Sequence, residues 1–232
     1  MNDSKPYRFL RCFIGRGTLI AALCCIAITA AAQATPDDNL TTNARYLAAA
    51  RNADGATLKR ELAAGAAVNS RNRLGESALL ILIKKDRLDL AQVVLDAGAD
   101  VNQPAVNGIT PLMAAAYAGQ TDMARQLLAK GANAAALDRL QKNAMTYAAG
   151  AGNTEIVKLL LVQGVDANAV YQNDLTALMW AAGFGKTDTV RVLLAAGANP
   201  ALRDNRGKTA ADMAREQNFA ATVAVLQPTP GK

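Results

Sequence analysis

The chain has 232 residues, 51% hydrophobic and 19% charged, a balance that excludes a disordered polyelectrolyte. Histidine is absent and all three cysteines (Cys12, Cys24, Cys25) fall in the first 25 residues, so no His-dependent triad, His-ligated zinc or His-ligated haem can be assembled. The formal charge is +6, and aromatic residues are only 4%, so the core has to be aliphatic.

Residues 1–34 read as a targeting segment. Lys5, Arg8, Arg11 and Arg16 form a positive stretch, and Gly17 to Ala32 then runs without a charge. Ala32-Gln33-Ala34 is a small-x-small cleavage site, the order expected of a secretory signal peptide cut after Ala34. The uncharged run is about 16 residues, short of the ~20 that span a bilayer, so a cleaved signal is expected rather than a retained anchor. No twin arginine is present, which favours the general export route and a periplasmic or secreted product. The segment carries four cations and one acid, leaving 21 Lys+Arg against 18 Asp+Glu, a net of +3. That excess is too small to argue for nucleic-acid binding. After cleavage neither a membrane contact nor a disulfide is expected. A short linker over 35–39 and a flexible tail over 228–232 should flank the folded part.

From there the chain repeats. Gly65-Ala-Ala-Val-Asn69, Gly98-Ala-Asp-Val-Asn102, Gly131-Ala-Asn-Ala-Ala135, Gly164-Val-Asp-Ala-Asn168 and Gly197-Ala-Asn-Pro-Ala201 start 33 residues apart, without insertion. Gly75, Gly108, Gln141, Asp174 and Gly207 keep the same period, as do Gly119, Gly152 and Gly185. Three registers at one period mark a repeat array.

Each unit reads as two short helices and an extended finger. In the third, Thr110 is placed to cap a first helix and Pro111 to sit at its first position, where a missing N–H costs nothing. Gly119 ends that helix. Thr121-Asp122 is expected to cap a second helix, whose apolar face is Met123, Ala124, Leu127 and Leu128. Gly131 stops it, and the chain to Asp138 turns back as a finger. Thr154-Glu155 and Thr187-Asp188 repeat the pattern in the next two units.

The run Gly-x-Thr-Pro-Leu-x-x-Ala-Ala-x-x-Gly, a Leu-Leu pair and Gly-Ala-x-x-Asn together resemble the ankyrin repeat over residues 40 to 227. The resemblance implies an all-α repeat solenoid of about six 33-residue units (40–72, 73–105, 106–138, 139–171, 172–204 and 205–227) with β-hairpin fingers. The family's usual histidine after Thr-Pro-Leu is missing, and Leu80, Met113 and Met179 take its place. Apolar packing should replace the polar bracing there. The first and last units diverge most, as end units of an array do because one side faces water.

Catalysis is not expected. The carboxylates fall at helix starts (Asp122, Glu155, Asp188) or in fingers (Asp100, Asp138, Asp166, Asp204), where capping and turn formation account for them. No nucleophile elbow, P-loop or calcium loop occurs. No cofactor or metal is expected either, since Met113, Met145 and Met179 sit at core-facing positions.

A repeat array presents a long surface of finger tips and first-helix faces, and the resemblance implies a protein partner there, bound by a monomer. The matching finger tips are Arg73, Leu74 and Glu76; Val106, Asn107 and Ile109; Arg139, Leu140 and Lys142; Gln172, Asn173 and Leu175; and Asn205, Arg206 and Lys208. The exposed first-helix positions include Lys84, Lys85, Tyr117, Gly150, Ala151 and Phe184. Tyr147 and Trp180 occupy equivalent positions and are expected to stack side by side facing the groove. With Tyr117, Phe184, Ile109, Leu140 and Leu175 they form the candidate binding cluster, and Arg139, Lys142 and Arg206 supply a cationic rim that could steer an acidic partner. Kinship with exported bacterial ankyrin proteins also raises an accessory role in periplasmic oxidative-stress defence, associated with catalase, and a purely structural spacer is the remaining alternative.

Overall fold

The computed structural model describes residues 36–227. The candidate signal segment, its cleavage site and the tail over 228–232 lie outside the described residues.

Twelve α-helices are formed among the described residues: α1 Pro36–Asn52, α2 Gly55–Ala63, α3 Ala78–Lys84, α4 Leu88–Asp96, α5 Pro111–Ala118, α6 Thr121–Ala129, α7 Ala144–Ala151, α8 Thr154–Val162, α9 Ala177–Gly183, α10 Thr187–Ala195, α11 Ala210–Glu216 and α12 Ala220–Leu226. Consecutive helices pack as pairs. The odd-numbered helices also pack on one another in chain order, and α6, α8, α10 and α12 do the same, so the array has two layers. α1 begins at Pro36, inside the stretch expected to be a linker. Proline suits a first helical position because its absent N–H has no intrahelical partner there.

The cap expected at Thr110 is formed, and its equivalents start α3, α7, α9 and α11. The side chains of Ser77, Thr110, Asn143, Thr176 and Thr209 each accept from the backbone N–H three residues on. Alanine pairs at the middle of these helices (Ala115–Ala116, Ala148–Ala149, Ala181–Ala182) are fully buried, which lets neighbouring helices approach closely. The second helices contribute a column at the repeat period: Val94, Leu127, Leu160 and Leu193 are fully buried and Leu226 nearly so. Full burial of each such side chain stabilises by about 1.5–3 kcal/mol. Met113, Met145 and Met179 are core as well, each 2% exposed or less.

The second helices start differently from expectation. Thr121, Thr154 and Thr187 are the first helical residues rather than the caps, and the residues before them (Gln120, Asn153, Lys186) make no capping bond within their own helix. Two of these side chains reach back instead. Gln120 Nε2 donates to Ile83 O, and Asn153 Nδ2 donates to Ala116 O and Tyr117 O. In the same register, Arg87 Nη1 donates to Ala53 O. Carbonyls at the end of one unit's first helix thus accept from side chains of the next unit.

The fingers are tight turns over 72–76, 105–109, 138–142, 171–175 and 204–208, each closed by a bond from its first backbone N–H to its last carbonyl. They are too short to make strands, and one isolated antiparallel bridge, Arg71 to Ser77, is formed in this region. No helix among the described residues is long and apolar enough to cross a membrane.

The last unit meets water through charge. Asp212 accepts from the Thr209 backbone N–H (3.0 Å) and hydroxyl (2.8 Å) and pairs with Arg215 (2.7 Å). Those bonds, the Thr209 backbone first, hold its carboxyl down at about 2, against an ordinary 3.8. A carboxyl depressed by folding stabilises above its unfolded value and loses that contribution as pH falls through its folded one. Stability should therefore fall as pH drops from about 4 to 2. Asp212→Asn should flatten that part of the curve in urea titrations, and an unchanged profile would refute the assignment.

Candidate protein-binding groove

The finger stack is built by a repeated bond. Val106 N donates to Leu74 O (2.8 Å), Arg139 N to Asn107 O (3.0 Å) and Asn205 N to Asn173 O (3.1 Å). The corresponding bond between the third and fourth fingers, Gln172 N to Leu140 O, is not made. Asn72, Asp138 and Asp204 brace their own fingers by accepting from two backbone N–H groups each, whereas Ala105 and Tyr171 stand at that position in the second and fourth. The second finger keeps its bonds to both neighbours, so the missing brace alone does not break the stack. In the fourth, residues Gln172–Asp174 form a 3-10 turn, with Asn173 at φ 62° and Asp174 at φ 58°.

A second ladder lapses at the same junction. Asn69, Asn102 and Asn168 accept through Oδ1 from Asp100 N, Asn133 N and Asn199 N in the following unit. The position between the last two is Ala135, which offers no acceptor. A cleft of about 540 Å³ opens there, between the segments around Ala135 and Tyr171.

On the first-helix side of this junction lies a groove of about 550 Å³, lined by Tyr117, Lys142, Tyr147, Gly150, Trp180, Phe184 and their neighbours. Helices α5, α7 and α9 supply the rings one unit apart, and the end of the third finger supplies Lys142. The expected stacking of Tyr147 on Trp180 does not occur. Tyr147 meets Tyr117 edge to face (centroids 6.2 Å apart) and Trp180 stacks on Phe184 (5.9 Å, 11° between planes). The Lys142 ammonium contacts both pairs instead, 4.1 Å from the Trp180 ring centre and 5.9 Å from that of Tyr147. A cation over an aromatic face is attracted by the ring quadrupole, which explains why this lysine settles there.

Tyr147 is braced from behind. Its hydroxyl donates to Asp138 Oδ2 at 2.6 Å, while Oδ1 of the same buried carboxylate accepts from Leu140 N and Lys142 N. Burial, then the hydrogen bond to Asp138 and lastly its charge, push the Tyr147 phenol well above its usual range. The Trp180 indole N–H is buried with no hydrogen-bond partner.

The other candidate residues divide. Leu140 and Leu175 line a smaller cleft of about 170 Å³ in the gap between the third and fourth fingers, which shares Lys142 and Trp180 with the groove. Ile109, Arg139 and Arg206 line neither space. Arg206 is committed to the buried Asp204 at 2.8 Å. Tyr117 and Phe184 are the open faces, 66% and 53% exposed. Lys186 lines the groove but is missing from the sequence-based cluster. Its signal was its register with Arg87, Gln120 and Asn153, the residues that reach back to the preceding unit.

Stacked pairs of short helices joined through turn-like fingers at a 33-residue period define a helical repeat array. The family model for ankyrin repeats (three copies) matches residues 46–138 and again 144–230, and the chain belongs to the ankyrin-repeat family. Members of that family are generally protein–protein interaction modules and typically not enzymes. No curated protein matches the chain.

Proposed function

We propose that this protein is a non-catalytic binding scaffold exported to the bacterial cell envelope, holding a partner protein in the groove between its third and fifth units. The observation that carries this reading is the groove itself, which gathers four of the chain's few aromatic side chains and two lysines without a carboxylate. Aromatic anchors in such grooves commonly dominate binding energy, about 2 kcal/mol or more each at a true hot spot. The export half of the reading rests on residues 1–34.

Tyr117→Ala combined with Phe184→Ala tests the groove, because both side chains are largely exposed and their loss should change stability by no more than about 1 kcal/mol. Partner recovery from a crosslinked envelope fraction should be abolished while helical circular dichroism is retained. Full recovery would place the binding surface elsewhere. N-terminal sequencing of the exported chain should begin at Thr35, and an intact residue 1–34 segment on membrane-bound protein would overturn the cleaved-signal reading.

A further inference from the structure

The fingers and first helices carry side chains at positions eight residues apart. In the second unit Glu76 pairs with Lys84 at 2.6 Å, and in the last Lys208 pairs with Glu216. Each of those pairs satisfies itself. The third finger ends in Lys142, but eight residues on stands Gly150, which offers nothing. Lys142 makes no ion pair, whereas eight others are formed among the described residues. Its ammonium rests on aromatic faces, which leave its N–H donors without an acceptor oxygen.

Gly150 has no conformational reason to be glycine. It lies inside α7 without a left-handed backbone, where glycine is less favourable than alanine. A Cβ there would meet Phe184 at 3.6 Å and Trp180 at 3.7 Å, ordinary contact distances. A longer side chain would enter the groove. The absent side chain both empties the groove and leaves Lys142 without a carboxylate.

The remaining charges agree in sign. Lys142 and Lys186 line the groove and no carboxylate does, because Asp138 is buried behind the Tyr147 hydroxyl. We infer that the groove takes an Asp or Glu side chain carried between apolar residues on a partner polypeptide. The carboxylate docks on Lys142, in the place Glu216 holds toward Lys208, and the apolar neighbours cover Tyr117 and Phe184. This rests on the scaffold reading above and adds the chemistry of the segment bound.

Random dodecapeptides, joined at their C-termini to a carrier so that no terminal carboxylate is free, should be selected on the full chain. Selection should enrich Asp or Glu flanked by Leu, Ile or Phe. Binding of the best peptide can be followed by the emission of Trp180, the one tryptophan in the chain. Gly150→Glu, which supplies an internal carboxylate, and Lys142→Met, which keeps the stem and removes the charge, should each weaken it about tenfold or more. Lys142→Glu should regain binding to the peptide whose acid is replaced by Lys. If Gly150→Glu unfolds, the two Lys142 variants decide. Peptides selected without an acid, or indifferent to Lys142, would overturn this inference and leave the scaffold standing. No peptide selected at all would overturn both.

Discussion

Replacing Gly108 with alanine should destabilise the protein by about 2–4 kcal/mol, while the same change at Gly98 should cost only about 1 kcal/mol. Both residues have φ +86°, so both lose the same conformational freedom when a Cβ is added. Their surroundings differ. At Gly98 nothing lies within 4 Å of the new atom, whereas at Gly108 it would fall 2.7 Å from Asp138 Cα and 2.9 Å from Arg139 N. Those are backbone atoms of the third finger and cannot swing aside as a flexible side chain would. The finger must move, and the bond from Arg139 N to Asn107 O goes with it. Urea unfolding of the two variants checks this directly. Equal losses would mean that the second and third fingers are not packed as closely as described.

Gly108 also shows which parts of the molecule a reader of the sequence could find. Its 33-residue register with Gly75 and Gly207 marks a turn, and all three glycines have positive φ. Gln141 and Asp174 share the register without being glycine, and they too are left-handed, at φ 53° and 58°. Periodicity thus locates a backbone conformation even where the residue type disfavors it. The same logic finds the caps at Thr110, Asn143 and Thr176, because a cap bonds within three residues of itself.

Bonds that leave the unit were not legible in this way. Thr121 looks like a cap because its hydroxyl precedes an apolar helix, but the residue before it is drawn off by a carbonyl 37 positions earlier in the chain. Ala135 stands out against Asn69, Asn102 and Asn168 in the alignment of the five segments. Its consequence appears only once those asparagines are seen to bond the following unit. Tyr147 and Trp180 were placed on one surface from register alone, and both line the groove. Register is silent about rotamers, so it could not foresee that a lysine would take the space between them.

That lysine is held in place by the finger it ends, and the finger depends on Asp138. Asp138→Ala should cost about 2–4 kcal/mol, because it leaves two backbone N–H groups and the Tyr147 hydroxyl without their acceptor. Asp138→Asn should cost less than half as much. An amide oxygen can still accept from Leu140 N and Lys142 N, and the tyrosine hydroxyl can turn to accept from the amide nitrogen. The asparagine at the equivalent position of the first finger, Asn72, already accepts from Leu74 N and Glu76 N at 2.8 and 3.0 Å. The two variants separate finger geometry from charge. In Asp138→Asn the Tyr147 phenol loses the neighbouring anion that helps hold its pKa up, so its ultraviolet titration should shift down toward 10 while the fold survives. The sign of the linkage follows. A phenol raised by folding leaves stability intact below pH 10 and erodes it as pH climbs from there toward the folded value, so Asp138→Asn should shift the alkaline unfolding curve upward in pH relative to its own neutral stability. If Asp138→Ala proves as mild as Asp138→Asn, the carboxylate is not what shapes the third finger, and Lys142 owes its position over Trp180 to the ring alone.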